Sequence, residues 1–370
     1  GQDLRPPFLH LACWNVLHIR VMRICLRLTF LSILSGSWGL TSRGTTRRMM
    51  HGNMSGESSA GVFKREWRGR QADKGKSLVV AQFNVLADGL SGMDVDKGGF
   101  SRASPMCLAW EHRRQKLVDE IMRHGIQPDI VALQEVDHFH DWFQPVLGGM
   151  GYDGIFVAKP NSPCKMSIDP RLEDGCALFW KRDTLRLRGS ETLNFEIMNN
   201  ESVPVKTNQV AILAELEQEG FSPFWFAVTH LHAKKSEEGE RVRTQQVNQL
   251  LDRLLSKNSA CILAMDMNAA PRSNGLASYP AMAYQAAKQH PLKLRSAYEE
   301  VLGEEPAFTT WKLRGEVEAK HTIDYIFVTE ELEARRVLQL PVEEEIPPDR
   351  LPCWFYPSDH FALLAEIRRR

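Results

Sequence analysis

Cys261-Ile262-Leu263-Ala264-Met265-Asp266-Met267-Asn268 runs from an unbroken apolar stretch straight into an acid and an amide. A short apolar run without polar alternation predicts a strand, Ile262–Met265, buried on both faces at the centre of a layered fold. In an extended chain Asp266 and Asn268, two residues apart, share one face. The plain reading is a strand entering the turn Asn268-Ala269-Ala270-Pro271. The chemical reading is that Asp266 orients or deprotonates an attacking water while Asn268 donates to a phosphoryl oxygen.

Working outward, the same punctuation recurs. Gln82-Phe83-Asn84, Leu133-Gln134-Glu135-Val136-Asp137, Thr229-His230-Leu231, Thr322-Ile323-Asp324-Tyr325 and Ser358-Asp359-His360 each follow or flank an apolar, β-rich run. Taken singly, each is a polar residue ending a strand. Together they hold what a Mg²⁺-assisted phosphate ester hydrolysis requires: hard oxygen ligands, a water-orienting group and donors for phosphoryl oxygens. Glu135 is the candidate metal ligand, with Asn84 contributing its amide to metal or phosphate and Asp359 a second acidic group. An aspartate that accepts from one imidazole nitrogen fixes the tautomer of the other, which suits Asp324 and His360. His230 is a candidate phosphate contact.

The composition, 43% hydrophobic and 25% charged over 370 residues, suits a soluble globular chain with one large domain or two ordinary ones. Its zero net charge hides an asymmetry. Residues 1–76 hold 13 Lys/Arg against 4 Asp/Glu, and residues 77–370 hold 33 against 42. A body of net charge −9 lacks the basic stripe that a long polyanion usually needs. The seven cysteines are scattered and never spaced C-x-x-C, which argues against a disulfide framework or a zinc site.

Residues 1–50 read as a basic presequence, 51–76 as a flexible linker and 77–370 as a single catalytic domain. Strands are expected at Ser77–Leu86, Asp129–Val136, Asp153–Ala158, Gly175–Trp180, Gln209–Leu216, Phe224–His230, Cys261–Met267, Thr322–Val328 and Phe361–Ile367. Helices are expected at Trp110–His124, His138–Leu147, Val242–Leu255 and Gly275–Lys288. Strands that come both singly and in adjacent pairs predict mixed α/β layers with two packed sheets. No uninterrupted apolar run is long enough for a membrane helix.

In this order the motifs resemble the endonuclease/exonuclease/phosphatase superfamily, and within it the nocturnin-like branch, over nearly all of residues 78–367. The more specific stretches are Gln134–His138, Phe143-Gln144-Pro145, Lys159-Pro160-Asn161-Ser162-Pro163-Cys164, Asp174–Phe179, Lys206–Ala211, Thr309-Thr310-Trp311-Lys312 and Tyr356–Phe361. The resemblance implies a four-layered α/β sandwich, two packed mixed β-sheets flanked by helices, with the site at one edge. It implies Glu135 as principal ligand of Mg²⁺ (Mn²⁺ as a substitute), Asp266 and Asn268 at nucleophile and phosphate, and an Asp324–His360 dyad. It further implies removal of the 2′-phosphate of NADP⁺ and NADPH, or shortening of poly(A) tails. Lys159 matches the branch's lysine and is expected on the substrate phosphate, with Asn208 also at the substrate. Lys234 and His232 stand where the branch carries an arginine and a lysine, and an ammonium cannot make the bidentate contact of a guanidinium.

Two functions are therefore expected to compete: a phosphatase acting as a monomer on a compact dinucleotide, and a 3′-exoribonuclease on RNA 3′ ends, which needs a groove and stacking platforms. A binding protein with a dead site is the non-enzymatic alternative, and the intact set of acids and histidines speaks against it. Arg20, Arg23 and Arg27 fall along one helical face, and no acid occurs between Leu4 and Gly56. That pattern predicts mitochondrial import, with a cytoplasmic form from a start at Met49, Met50 or Met54. A fluorescent fusion of residues 1–60 should enter mitochondria. Diffuse cytosolic fluorescence would refute the targeting role.

Overall fold

The computed structural model describes residues 63–71, 77–94, 99–125, 127–166, 172–199, 201–272 and 280–370. The segment read as a presequence lies outside them. In chain order the first half contains β1 (Trp67–Gly69), β2 (Ser77–Asn84), α1 (Pro105–Leu108), α2 (Trp110–Met122), β3 (Ile130–Val136), α3 (Gln144–Gly149), β4 (Tyr152–Ala158), β5 (Gly175–Lys181), β6 (Leu185–Met198) and β7 (Pro204–Gln218). The second half contains β8 (Phe221–His230), α4 (Glu237–Leu255), β9 (Cys261–Asp266), α5 (Met282–Gln289), β10 (Arg295–Ser296), α6 (Ala297–Leu302), β11 (Thr310–Arg314), β12 (Val317–His321), β13 (Asp324–Val328), β14 (Leu332–Leu338) and β15 (Leu363–Arg369).

Two mixed sheets face each other. One has the order β1-β14-β15-β2-β3-β5-β4, the other β10-β13-β9-β8-β7-β6, and β11 and β12 form a separate hairpin. Each large sheet contains one parallel pair near its middle, β2 with β3 and β8 with β9. A parallel pair needs a crossover, which α1 and α2 supply in the first case and α4 in the second. Alternation sorts the side chains. Val80, Ile130, Ala132 and Leu178 meet Ile212, Phe226, Val228, Ile262 and Ile326 between the sheets. Ala81, Phe83, Val131 and Leu133 turn outward onto Leu117 and Ile121 of α2. Leu213, Ala227, Leu263 and Met265 turn outward onto Val247, Leu250 and Leu254 of α4. Both central sheets are thus apolar on both faces, the four-layered sandwich expected.

Two departures have clear causes. Part of the expected linker belongs to the domain: Phe63 is buried, Trp67–Gly69 pair with β14, and the buried Arg65 guanidinium reaches Glu120 at 2.8 Å and the Ala362 carbonyl at 2.7 Å. A stretch held by one buried ion pair and carbonyls carries no apolar run to reveal it. The strands β6 and β14 and the β11–β12 hairpin were also not expected. β6 is a sheet edge whose residues alternate between half-buried and exposed, and β14 reads Leu-Glu-Ala-Arg-Arg-Val-Leu, a composition equally suited to a helix.

Behind the second sheet, Glu305 accepts from the Tyr284 hydroxyl at 2.8 Å and the Ser296 hydroxyl at 2.9 Å. Burial pushes its carboxyl up to about 7 against those two hydrogen bonds. The folded chain then holds this proton more tightly than the unfolded chain, so the group's contribution is complete at acid pH and lost as pH climbs through 7. Glu305→Gln stays neutral and should raise the unfolding midpoint at pH 8 by a few degrees, about 2 kcal/mol, with little change at pH 5. Thermal unfolding at the two pH values measures it, and an equal shift at both would contradict it.

Candidate active site

The carboxyl ends of the two parallel pairs point to one place. Register sets Asn84 beside Gln134 at the end of β2 and β3, and His230 beside Asp266 at the end of β8 and β9. The antiparallel start of β13 puts Asp324 on the other side of Asp266. At Glu135 the pairing of β3 with β5 shifts by one residue and φ is +55°. A left-handed non-glycine residue at a bulge re-aims its side chain at a local cost that the surrounding sheet must sustain. Asn268 repeats the device with φ +54°. β9 has ended by then, so Asn268 does not share an extended face with Asp266 as its spacing suggested. Its backbone N–H instead donates to Asp266 Oδ1 at 2.9 Å, closing a turn, and the two side chains still converge.

Asn84 is the hub. Its amide nitrogen donates to Glu135 Oε1 at 3.0 Å and to Asp266 Oδ2 at 2.9 Å, while its oxygen accepts from the Leu86 backbone at 3.0 Å. The Asn268 amide donates to His230 Nε2 at 2.8 Å, which leaves the His230 proton on Nδ1, facing Glu135 Oε1 at 3.9 Å with no hydrogen-bond partner. Burial holds His230 below the usual imidazole value, in keeping with a neutral ring. Beside this group, His360 Nδ1 meets Asp324 Oδ2 at 2.9 Å. Asp324 also accepts from the Thr309 hydroxyl at 2.6 Å and from the Gln82 amide at 3.1 Å.

The charges are unequal. Burial raises Asp266, but His230, His360, the Asn84 amide and Lys235 more than offset it and hold the carboxyl at about 2. Burial and Asp266 push Asp324 up, and Asp324 in turn lifts His360 despite its burial. Both members of the dyad therefore bind a proton more readily than in water, and the ring is the place for it because Asp324 accepts three hydrogen bonds. Lys312 acts against that, standing 3.1 Å from His360 Nε2 and 2.6 Å from Asp359 Oδ2. The contact with Asp359 is the shorter and joins opposite charges, so the upward direction for His360 is the one the geometry favours.

Asp266, Asp324 and His360 bring ligand atoms within 4.8 Å of one another. The ring, hydrogen-bonded to Asp324 and 3.8 Å from Asp266, accounts for that closeness without an ion. Glu135 and Asp266 suit a hard cation better: two carboxylates from different strands converge on one neutral amide, with oxygens of the kind Mg²⁺ takes. Asp359, expected as a second acidic ligand, is held by Lys312 and lies 3.5 Å from Arg314, which keep its carboxyl well below the usual range despite burial.

The expected substrate residues part company. Lys159 is buried beside the cluster and paired with Asp174 at 2.5 Å, and the two carboxylates Asp174 and Glu135 keep it charged despite burial. Asn208 is half-buried and clips the Asn161 backbone through two bonds of 2.7 Å, so it shapes the turn after Lys159. Lys234 points outward to Glu238 at 2.9 Å. His232 is half-buried and pressed below the usual imidazole value by burial, Arg243 and Lys234, so it brings no cation. Sequence reasoning did not single out Lys312 as a site residue, although Thr309–Lys312 was among the distinctive stretches. Nor did it single out Lys235, which follows no strand-end pattern, or Gln82 and Thr309, which stand inside stretches it read without a role of their own.

A model of the Endonuclease/Exonuclease/phosphatase family matches residues 81–360. The chain belongs to that family. Within it the chain is nocturnin-like. It is 38% identical to nocturnin of Xenopus laevis over 302 residues, covering 79% of this chain and 72% of that protein. It is also 38% identical to Homo sapiens nocturnin over 297 residues, covering 78% and 64%. The chain thus spans about two thirds of these relatives' length, and 47% of the Drosophila melanogaster nocturnin. Among solved structures, the human nocturnin catalytic domain with bound sulfate superposes with a TM-score of 0.65 at 33% identity, covering 83% of this chain and 97% of that one.

If Asp324 lifts the His360 pKa, activity that needs the protonated ring is lost as pH rises through that value. Removing the charge moves the loss to lower pH. Asp324→Asn should therefore lower kcat about a hundredfold, leave KM within a few-fold, and shift the alkaline limb of the rate profile to lower pH. An unmoved limb with a raised KM would show that the pairing is not catalytic.

Proposed function

We propose that the chain is a Mg²⁺-dependent phosphoesterase that removes the 2′-phosphate of NADP⁺ or NADPH. The observation that carries the chemistry is the convergence of Glu135 and Asp266 on the Asn84 amide, with the Asp324–His360 dyad alongside. The substrate class rests on the nocturnin-like sequence and on lysines ringing an acid cluster inside an otherwise acidic domain. The solved human nocturnin domain carries a sulfate, an anion of the same shape as a phosphate.

In this reading a divalent cation held by Glu135, with Asp266 and Asn84 near it, supplies Lewis-acid polarisation and charge neutralisation. The chain's own groups do the rest. Asp266, ionised at neutral pH, is too weak a base to remove a proton far in advance and instead orients the water by accepting from it. The Asn268 amide, bonded to His230 and the Leu231 carbonyl, is placed to turn toward a phosphoryl oxygen. His360 Nε2 and Lys312 Nζ stand side by side, so an N–H donor is present there in either protonation state of the ring. That donor stabilises charge on the phosphoryl group or protonates the departing 2′-oxygen.

Purified chain with Mg²⁺ should release phosphate from NADPH and NADP⁺ faster than AMP from oligo(A). The reverse order replaces the dinucleotide reading with the exoribonuclease. Glu135→Ala should lower turnover by about a thousandfold or more and weaken Mg²⁺ binding measured by calorimetry, with an unchanged unfolding midpoint without metal. Full turnover in a folded Glu135→Ala chain would remove Glu135 from the mechanism.

A further inference from the structure

Of the lysines around the acid cluster, three have their charge met by a carboxylate. Lys159 pairs with Asp174, Lys312 with Asp359, and Lys234 with Glu238 on the open face of the α4 start. Lys235 differs. Its ammonium donates to the carbonyl and amide oxygens of Asn268, both at 3.0 Å, and it makes no ion pair among the described residues. Neutral oxygens offset the desolvation of an ammonium less well than a carboxylate does. The residue as a whole is exposed, yet its ionising end is enclosed. Burial, opposed by Asp266 and reinforced by Arg243 and Lys312, brings its pKa down to about 8. His321, at the end of β12, is pressed to about 4 by burial and by the same two ammonium groups, Lys235 and Lys312. Two cations from different segments, Lys235 and Lys312, thus act on one another beside Asn268 and His360, and such a place attracts an anion.

The loop explains why the two neighbouring lysines diverge. Arg243 donates to the carbonyls of His232 and Lys234 at 2.8 Å each, and the Ser236 hydroxyl caps α4 by accepting from the Gly239 N–H at 3.0 Å. Gly239 packs against the Lys234 carbonyl so closely that a Cβ there would lie 2.1 Å from its oxygen. With this backbone pinned, Lys234 leaves toward Glu238 and Lys235 turns back over Asn268.

We infer that Lys235, and not Lys234, supplies the ammonium that receives the phosphomonoester dianion of the substrate, forming with Lys312 an anion seat beside Asn268. The inference rests on the phosphoesterase reading but commits to no particular ester. The dianion draws on the third proton of Lys235 and compensates the charge that Asn268 alone leaves exposed to repulsion.

The probe is inorganic phosphate, whose binding to the full chain in Mg²⁺ is followed by calorimetry or phosphorus NMR, independently of turnover. Lys235→Gln keeps an N–H for Asn268 and removes the charge. It should weaken phosphate binding about tenfold, since a hydrogen bond to a charged group contributes about 1.5–3 kcal/mol. Lys235→Arg should stay within a few-fold of the parent, as should Lys234→Gln. Unfolding midpoints establish that each variant is folded. A Lys235→Gln chain that binds phosphate like the parent, a Lys234→Gln chain that loses it, or a parent that binds none would each overturn the inference. A parent that prefers oligo(A) to NADPH defeats the dinucleotide reading and with it the substrate dianion, and phosphate binding by the variants then decides only which of the two lysines holds an anion.

Discussion

The Asn84 amide nitrogen lies between two carboxylates that belong to different sheets. Glu135 comes from β3 beside it, and Asp266 comes from β9 across the sandwich. Two buried or half-buried acids so placed repel each other unless a donor or a cation stands between them. A neutral amide supplies hydrogen bonds but no charge, so the cluster stays short of positive charge at its centre. That shortage makes it suited to a divalent cation, and it also explains why the surroundings are rich in lysines without being neutralised by them.

The sandwich is built to bring this about. Each sheet contributes one parallel pair, and the carboxyl ends of both pairs open at the same edge. Between the sheets the contacts near that edge stop being apolar. Gln82 bonds Gln134 at 2.8 Å within its own sheet and Asp324 at 3.1 Å in the other, so the polar network itself ties the layers together. Below the loops, Arg113 is fully buried and donates to the carbonyls of Leu108, Val85, Leu86 and Pro357. A guanidinium spreads several donors in a fixed plane, and here it binds the segment after Asn84 to the segment before Ser358. Burying so many polar groups costs stability wherever a partner is missing, and among the described residues Gln82 Oε1, Gln134 Nε2 and His230 Nδ1 lack one.

Of the seven non-glycine residues with left-handed backbone among the described residues, two belong to this cluster. Glu135 and Asn268 both adopt left-handed backbone although neither is glycine. The first sits on a bulge between β2 and β5, the second in a turn held by Asp266, His230 and Lys235. Packing on either side over-determines both conformations, and each aims a polar side chain that regular alternation would have sent elsewhere.

The sequence by itself determined the layers and supplied the candidates for the site. Buried strands such as Ile130–Val136 and Cys261–Asp266 are apolar on both faces, and that pattern is local, so it is legible without knowing any partner. The strand-end acids, amides and histidines were legible for the same reason: a polar residue closing an apolar run stands out. What only the tertiary structure decided is which charges meet. Lys234 and Lys235 are neighbours of identical chemistry, and nothing local separates them; Glu238 and a loop pinned by Arg243 turn one out, while Asn268 receives the other. Asp359 reads in the sequence as a candidate ligand, and only the fold sets Lys312, from a hairpin with no clear apolar signature, against it. Pairing across tens of residues depends on distances between side chains, and distance is a property of the folded chain, not of its order.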